Sequence, residues 1–150
     1  MGRADAQRRR HDPPLATEPL TLVLDASAVL NACLGQDGFR PYARETLVAP
    51  PLLWSEVPSA LHEGQWRGEL PREAATGALK RLAEARIIRK THPRLILEAW
   101  RIADELGWAK TYDAEFVALA ALLDCQLVTL DLRLRRGAAA LGFVVTPTEL

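Results

Sequence analysis

No charge of either sign dominates this chain: 19 basic residues balance 19 acidic ones. A uniformly basic nucleic-acid binder is thereby excluded, although a local basic face is not. Cysteine is scarce. Cys33 and Cys125 are the only two, with neither zinc-ligand spacing nor a C-x-x-C redox pair. Both lie among apolar residues, which reads as two buried free thiols and fits a cytoplasmic location. No run approaches the roughly 18 apolar residues of a membrane span. Arg8-Arg9-Arg10 is followed by His11-Asp12-Pro13-Pro14 rather than by an apolar stretch, so no signal peptide is expected. Histidine offers little chemistry: His11 lies in a polar tail, and His62 and His92 have no partner spacing. A Ser/His/Asp arrangement and a Gly-rich phosphate loop are both missing.

What remains is an ordinary globular composition, 49% hydrophobic and 25% charged, over a length that suits one domain with a proper core. Residues 1–19 are polar and proline-bearing, which predicts a disordered tail. They hold four Arg against three acidic residues, so the body from residue 20 onward has 15 basic and 16 acidic residues. The domain is expected over 20–150.

Leu20 to Leu24 is apolar enough for a strand buried on both faces, closed by Asp25. Ala26 to Leu34 predicts a helix ended by Gly35. Thr46 to Ala49 predicts a second strand, stopped by Pro50-Pro51. A helix follows from about Leu52 to His62 or Trp66, bent or interrupted by Pro58, which lacks an N–H. Pro71 opens another helix to about Ala85, and Ile87 to Thr91 is a third strand. Pro93 opens a helix with Ile96, Ala99, Trp100, Ala103 and Leu106 on one face. Asp113 starts the most apolar helix, whose composition implies burial nearly all round. Gln126 to Leu130 is strand four, closed by Asp131. A helix to about Leu141 and a strand over Phe143 to Val145 complete the pattern. Alternating βα units predict an α/β fold, with a mostly parallel sheet of about five strands and helices on both faces.

Four acidic residues stand where strands end or helices begin: Asp25, Glu56, Asp113 and Asp131. Open α/β sheets bind ligands outside the carboxyl ends of their strands. Carboxylates gathered there repel one another unless a cation lies between them, and oxygen-only ligands suit Mg²⁺ or Mn²⁺. Asp113 and Asp131 are each equally well placed as helix N-caps. Glu56, flanked by apolar residues, would be costly to bury without a partner. Ser27 either contacts phosphate, holds a carboxylate or caps a helix. Thr129 points to the same face as Asp131 if the strand alternates. Glu115 reads as a solvated residue of a first helical turn, and Asp124 as a turn residue.

Four segments carry a family resemblance. They are Leu22-Val23-Leu24-Asp25-Ala26-Ser27-Ala28, Ala49 through Val57 with Glu56, Thr111 through Ala120 with Asp113, and Leu127-Val128-Thr129-Leu130-Asp131 followed by Arg133-Leu134. In this order and spacing the chain resembles PIN-domain ribonucleases, and among them the VapC-type toxins of type II toxin–antitoxin pairs, over roughly residues 20 to 147. The usual Asn two or three positions after the glutamate is replaced here by Pro58 or Ser59. The resemblance implies a PIN-like three-layer α/β/α fold and Mg²⁺- or Mn²⁺-dependent cleavage of RNA. It implies a catalytic and metal site of Asp25, Glu56, Asp113 and Asp131, supported by Ser27 and Thr129. An antitoxin that presents Arg to the carboxylates, and a homodimer, are the implied partners.

Contact with RNA or antitoxin is expected from Arg133 and Arg136, close after Asp131. A second basic group runs through Lys80, Arg81, Arg86, Arg89, Lys90 and Arg94. The tryptophans are expected mostly in the core, with Trp54 and Trp108 near enough to the motifs to stack on a base. A PIN nuclease of RNA processing, without an antitoxin, is the alternative. Phosphotransfer on Asp25 fits less well: Ser27 stands where haloacid-dehalogenase-like phosphatases have a second Asp. The acidic pair and late lysine of response-regulator receivers are also missing. A catalytically dead binding module would have lost a carboxylate, and all four are present.

Overall fold

The computed structural model describes residues 18–150; most of the expected tail lies outside the described residues. Five parallel strands form one sheet: β1 (Thr21–Leu24), β2 (Thr46–Ala49), β3 (Ile87–Arg89), β4 (Gln126–Val128) and β5 (Val144–Val145), in the order β3-β2-β1-β4-β5. Six α-helices connect them: α1 (Ala26–Leu34), α2 (Leu53–Trp66), α3 (Arg72–Glu84), α4 (Leu95–Leu106), α5 (Tyr112–Leu122) and α6 (Leu132–Gly137). Helices α1, α2 and α3 pack on one another, while α4 packs on α5 and α5 lies against β1 and β4. With right-handed crossovers these two groups cover opposite faces, giving the expected three layers.

The chain runs outward from β1 to β3 and then returns to place β4 on the other side of β1. The order therefore reverses between β1 and β4, and a crevice opens at their carboxyl ends. Leu22, Val23, Leu24, Leu127 and Val128 are fully buried along these two strands. Each such side chain contributes about 1.5–3 kcal/mol over exposure to water. Helix α5 is buried at Ala114 and continuously from Phe116 to Ala120, as its composition requires.

Several elements differ from the sequence reading. Helix α2 runs through Pro58 without interruption; only the bond from the missing N–H is forfeited, and packing of Leu53, Val57 and Leu61 holds the rest. In α4 the buried face is Leu95, Ala99, Ile102 and Ala103, whereas Ile96 and Trp100 are 66% and 64% exposed. Helix α6 ends at Gly137, and a separate 3-10 turn covers Ala139–Leu141 before Gly142 turns the chain at φ +81°. Gly35 ends α1 with a negative φ. Its need is space, since a Cβ there would lie 2.8 Å from the Asn31 carbonyl oxygen. Cys33 is buried and Cys125 only half-buried; both are free.

Candidate active site

Asp25 stands at the switch between β1 and α1. Its N–H continues the ladder by donating to the Val128 carbonyl, 3.2 Å. Its carboxylate then turns back to cap α1, accepting from the Ala28 N–H at 2.9 Å and the Ser27 hydroxyl at 2.6 Å on Oδ1. Oδ2 accepts the Thr129 hydroxyl. Each hydroxyl also accepts: Ser27 Oγ from the Leu130 N–H at 2.9 Å, Thr129 Oγ1 from the Asp131 N–H at 3.0 Å. Both hydroxyl protons are thus committed to Asp25, and the ends of β1 and β4 are tied through one carboxylate. Asp25 is only 4% exposed. Burial raises its pKa above the ordinary aspartate value against the opposing effect of these bonds, and the Asp113 charge adds to the rise.

Asp131 caps α6, accepting from the Arg133 N–H at 2.8 Å and the Leu134 N–H at 3.2 Å. Asp113 does not cap α5, because Thr111 occupies the cap position and Asp113 lies in the first turn. Its pKa is raised by burial and by Asp131, and lowered by Arg133. Glu56, in the first turn of α2, is pushed up to about 7 by burial, then by the charges of Asp113, Asp25 and Glu115. Glu115 is half-buried, not solvated as its sequence position suggested, and burial raises its pKa too. At the carboxyl edge of the sheet, Glu56 thus feels the charges of Asp113 and Asp25, Asp25 that of Asp113, and Asp113 that of Asp131.

A groove of about 490 Å³ runs from Glu56 and Asp113 between the α4–α5 loop and α6, past Trp108, Lys110, Tyr112 and Arg133. A larger hollow of about 730 Å³ lies at the opposite edge, where β1 and β4 begin, with Asp124 its only carboxylate. The crevice at the switch point is where the chemistry-bearing side chains are.

The family model described as PIN domain matches residues 22–140. The chain belongs to the PIN-domain family. Within the family it is similar to ribonuclease VapC9 of Mycobacterium tuberculosis, 37% identical over 128 residues, or 84% of this chain and 98% of that relative. Among solved structures it is similar to PAE2754 from Pyrobaculum aerophilum, with TM-score 0.68 and 25% identity over 87% of this chain and 93% of the other. VapBC-1 from nontypeable Haemophilus influenzae shares the fold, with TM-score 0.57 and 15% identity over 86% and 99% of the two chains.

In this PIN domain the expected supporting residues Ser27 and Thr129 both hold Asp25. Arg133 lines the groove. Arg136 is exposed on α6 and outside the groove lining, and Arg135 between them pairs with Glu149 at 2.9 Å. The second basic group is dispersed. Arg81 donates to the Cys33 carbonyl at 2.7 Å, Arg89 stacks over Trp54 at 4.6 Å, and Lys80 and Arg94 pair with Glu84 and Glu98. No tryptophan is core: Trp66 and Trp100 are exposed, Trp54 and Trp108 half-buried. Lys110 and Tyr112 were missed as groove residues. The signal available was the place of Lys110 in the short connection between α4 and α5 and of Tyr112 at the start of α5, immediately before Asp113.

The PIN fold implies a divalent cation. Among the described residues no three Asp, Glu, His or Cys side chains are already gathered tightly enough to enclose one. The donor chemistry nonetheless fits a hard cation: oxygen ligands only, half-buried or buried, with Asp25, Glu56 and Asp113 raised in pKa by burial and by neighbouring carboxylates. Asp25 is fixed by its bonds and Asp131 by its cap of α6, so Asp113 and Glu56 are the groups that an ion would draw in.

Proposed function

We propose that this chain is a metal-dependent endoribonuclease, the toxin of a type II toxin–antitoxin pair, hydrolysing RNA phosphodiester bonds at Asp25, Glu56, Asp113 and Asp131. The observation that carries the reading is Asp25: a buried carboxylate, locked by three donors, whose charge opposes ionisation of Glu56 and whose own ionisation is opposed by Asp113. Full-length kinship with ribonuclease VapC9 supports the activity. Asp25, Asp113 and Asp131 would hold Mg²⁺ or Mn²⁺, with Glu56 as a further ligand or as the group that orients water. Once bound, such an ion would supply an activated water and offset charge on the scissile phosphate. Glu56, raised to about 7 by burial and neighbouring carboxylates when no ion is bound, is the group of this site suited to take up or release a proton. Ser27 and Thr129 act as positioning residues through Asp25, and Arg133 lies where phosphate would pass.

The acidic crevice also suits an arginine of a bound antitoxin, since Arg pairs with carboxylate in a directional, bidentate way. A homodimer is the proposed assembly. Helix α4 presents Ile96, Leu97 and Trp100 side by side in an exposed apolar ridge, bordered by Arg94, Glu98, Arg101 and Glu105. The expected setting is the cytoplasm; among the described residues no helix is long and apolar enough to cross a membrane.

The test is RNA cleavage with Mg²⁺ or Mn²⁺, using Asp25→Asn as control. Wild-type cleavage that stops in EDTA, and a folded Asp25→Asn protein without activity, are expected. A variant that unfolds at the wild-type temperature yet cleaves at the wild-type rate would sink the reading. If cleavage stands but the product of the adjacent gene neither binds nor inhibits, the chain is instead an RNA-processing PIN nuclease.

A further inference from the structure

Helix α6 sets two residues of the crevice, Asp131 as its cap and Arg133 in its first turn, yet little holds it. It has six residues and one buried side chain, Leu134. A helix so short is not stable by itself in water. Asp131 accepts from the Arg133 and Leu134 N–H groups, so wherever the first turn moves, that carboxylate follows. Among the described residues Arg135 is the one α6 side chain that hydrogen-bonds to another element. Its partner is Glu149, in the 3-10 turn Pro147–Glu149 that follows β5. Arg135 Nη2 donates to Glu149 Oε1 at 2.9 Å and Nε to Oε2 at 3.3 Å. Such a two-pronged contact fixes direction as well as distance.

The same carboxylate reaches the other side of the site. Oε2 also accepts the Thr146 N–H at 2.6 Å, closing a capping box directly after Val145, the last residue of β5. The Val145 carbonyl takes the Thr129 N–H at 2.9 Å, and the Thr129 hydroxyl holds Asp25. One line of bonds thus runs from Glu149 through α6 to Asp131, and a second through β5 and Thr129 to Asp25. The pair is partly shielded from solvent, with side chains 29% exposed at Arg135 and 41% at Glu149. We infer that Glu149 is a positioning residue: a carboxylate outside the crevice that, through Arg135 and Thr146, sets where Asp131 and Arg133 stand relative to Asp25. This rests on the ribonuclease reading above and deepens it, since a displacement of about 1 Å at a reacting centre costs up to about a hundredfold in rate.

Two readouts separate position from fold and from charge. The first is amide hydrogen exchange on the metal-free protein. Glu149→Ala should lower protection at the Arg133 and Leu134 amides about fivefold, the upper end for a partly exposed ion pair. Protection in β1 should stay as in the wild type, and Tm should fall by no more than about 4 °C. The second readout is RNA cleavage with Mg²⁺. Arg135→Ala removes a cation from α6 and Glu149→Ala frees one, so a charge effect would move RNA affinity, and with it KM, in opposite directions. A positional effect lowers kcat in both variants, about tenfold, with KM within about twofold of the wild type. The double variant should lose no more than Glu149→Ala, because the two side chains act through one contact. Glu149→Gln, which keeps acceptors for Thr146 and Arg135, should lose less than Glu149→Ala. Unchanged α6 protection in Glu149→Ala, additive losses in the double variant, or wild-type kcat in both single variants overturns the inference. So does a loss of protection across the whole sheet in step with α6, which is general unfolding. If the wild type does not cleave RNA, the ribonuclease reading fails, and α6 exchange in the single and double variants still decides the tie to Glu149.

Discussion

Glu56→Gln should stabilise this protein at alkaline pH while removing its activity. The Glu56 carboxyl is raised from 4.5 to about 7 in the folded chain. A carboxyl shifted this way makes the folded state bind more protons than the unfolded state between those values, so stability falls as pH rises. The favourable contribution is complete below pH 4.5 and lost as pH climbs through 7. A shift of this size corresponds to roughly 3 kcal/mol without screening. Glu56 is only about half-buried, and solvent screening reduces the effect to about 1.5 kcal/mol. For a domain of this length that is roughly 5 °C in Tm. The assay is thermal and urea denaturation in EDTA from pH 5 to 8.5. Wild type should weaken across that range, and Glu56→Gln should weaken less, because Asp25, Asp113 and Glu115 are raised in the same direction. Mg²⁺ should restore the wild type at pH 8 more than the variant, since an ion that binds only the folded state stabilises it. Wild-type stability that rises from pH 5 to 8 in EDTA, or a Gln variant that melts below wild type at pH 8, would refute the reasoning.

Thr129→Val keeps the shape of a fully buried side chain but removes the donor to Asp25 and the acceptor for the Asp131 N–H. It should cost about 1–3 kcal/mol in urea denaturation and lower kcat more than it raises KM; a variant as stable and active as wild type would contradict the positioning role. Trp100→Glu places a charge on the exposed α4 ridge, so light scattering should report a folded monomer whose Tm no longer rises with protein concentration, whereas an intact dimer would move the interface elsewhere.

The backbone of the site was legible because its strands are short, apolar and buried on both faces, so their ends were marked by the first acidic residue. Asp25 and Asp131 fell at the carboxyl edge for that reason. What the sequence hid was double use. Asp25 caps α1 as well as facing the crevice, and Asp113 looks like a cap but leaves that position to Thr111. Helix α4 shows a limit of periodicity. Ala99 and Ala103 belong equally to a face with Leu95 and Ile102 and to one with Ile96 and Trp100. Only the packing of α4 on α5 decides between them. Pro58 was overweighted, since one missing bond is small beside three buried side chains. Glu115 was underweighted, since its burial is imposed by neighbouring elements distant in sequence.

The tie between Asp25 and Thr129 also sets a timetable. Asp25 leaves the ribosome 104 residues before the threonine that orients it. Until β4 is made, β1 has a partner only on its β2 side and offers its other edge, a run of Leu22, Val23 and Leu24, to any passing strand. No partial chain can cut, because the pocket around Asp25 does not exist before the crossover through α4 and α5 has closed. A growing chain of this design is therefore sticky for most of its synthesis, and its Asp25 pocket then closes in one step. A ribosome-stalled chain ending before Gln126 should accordingly show no cleavage and should aggregate on release.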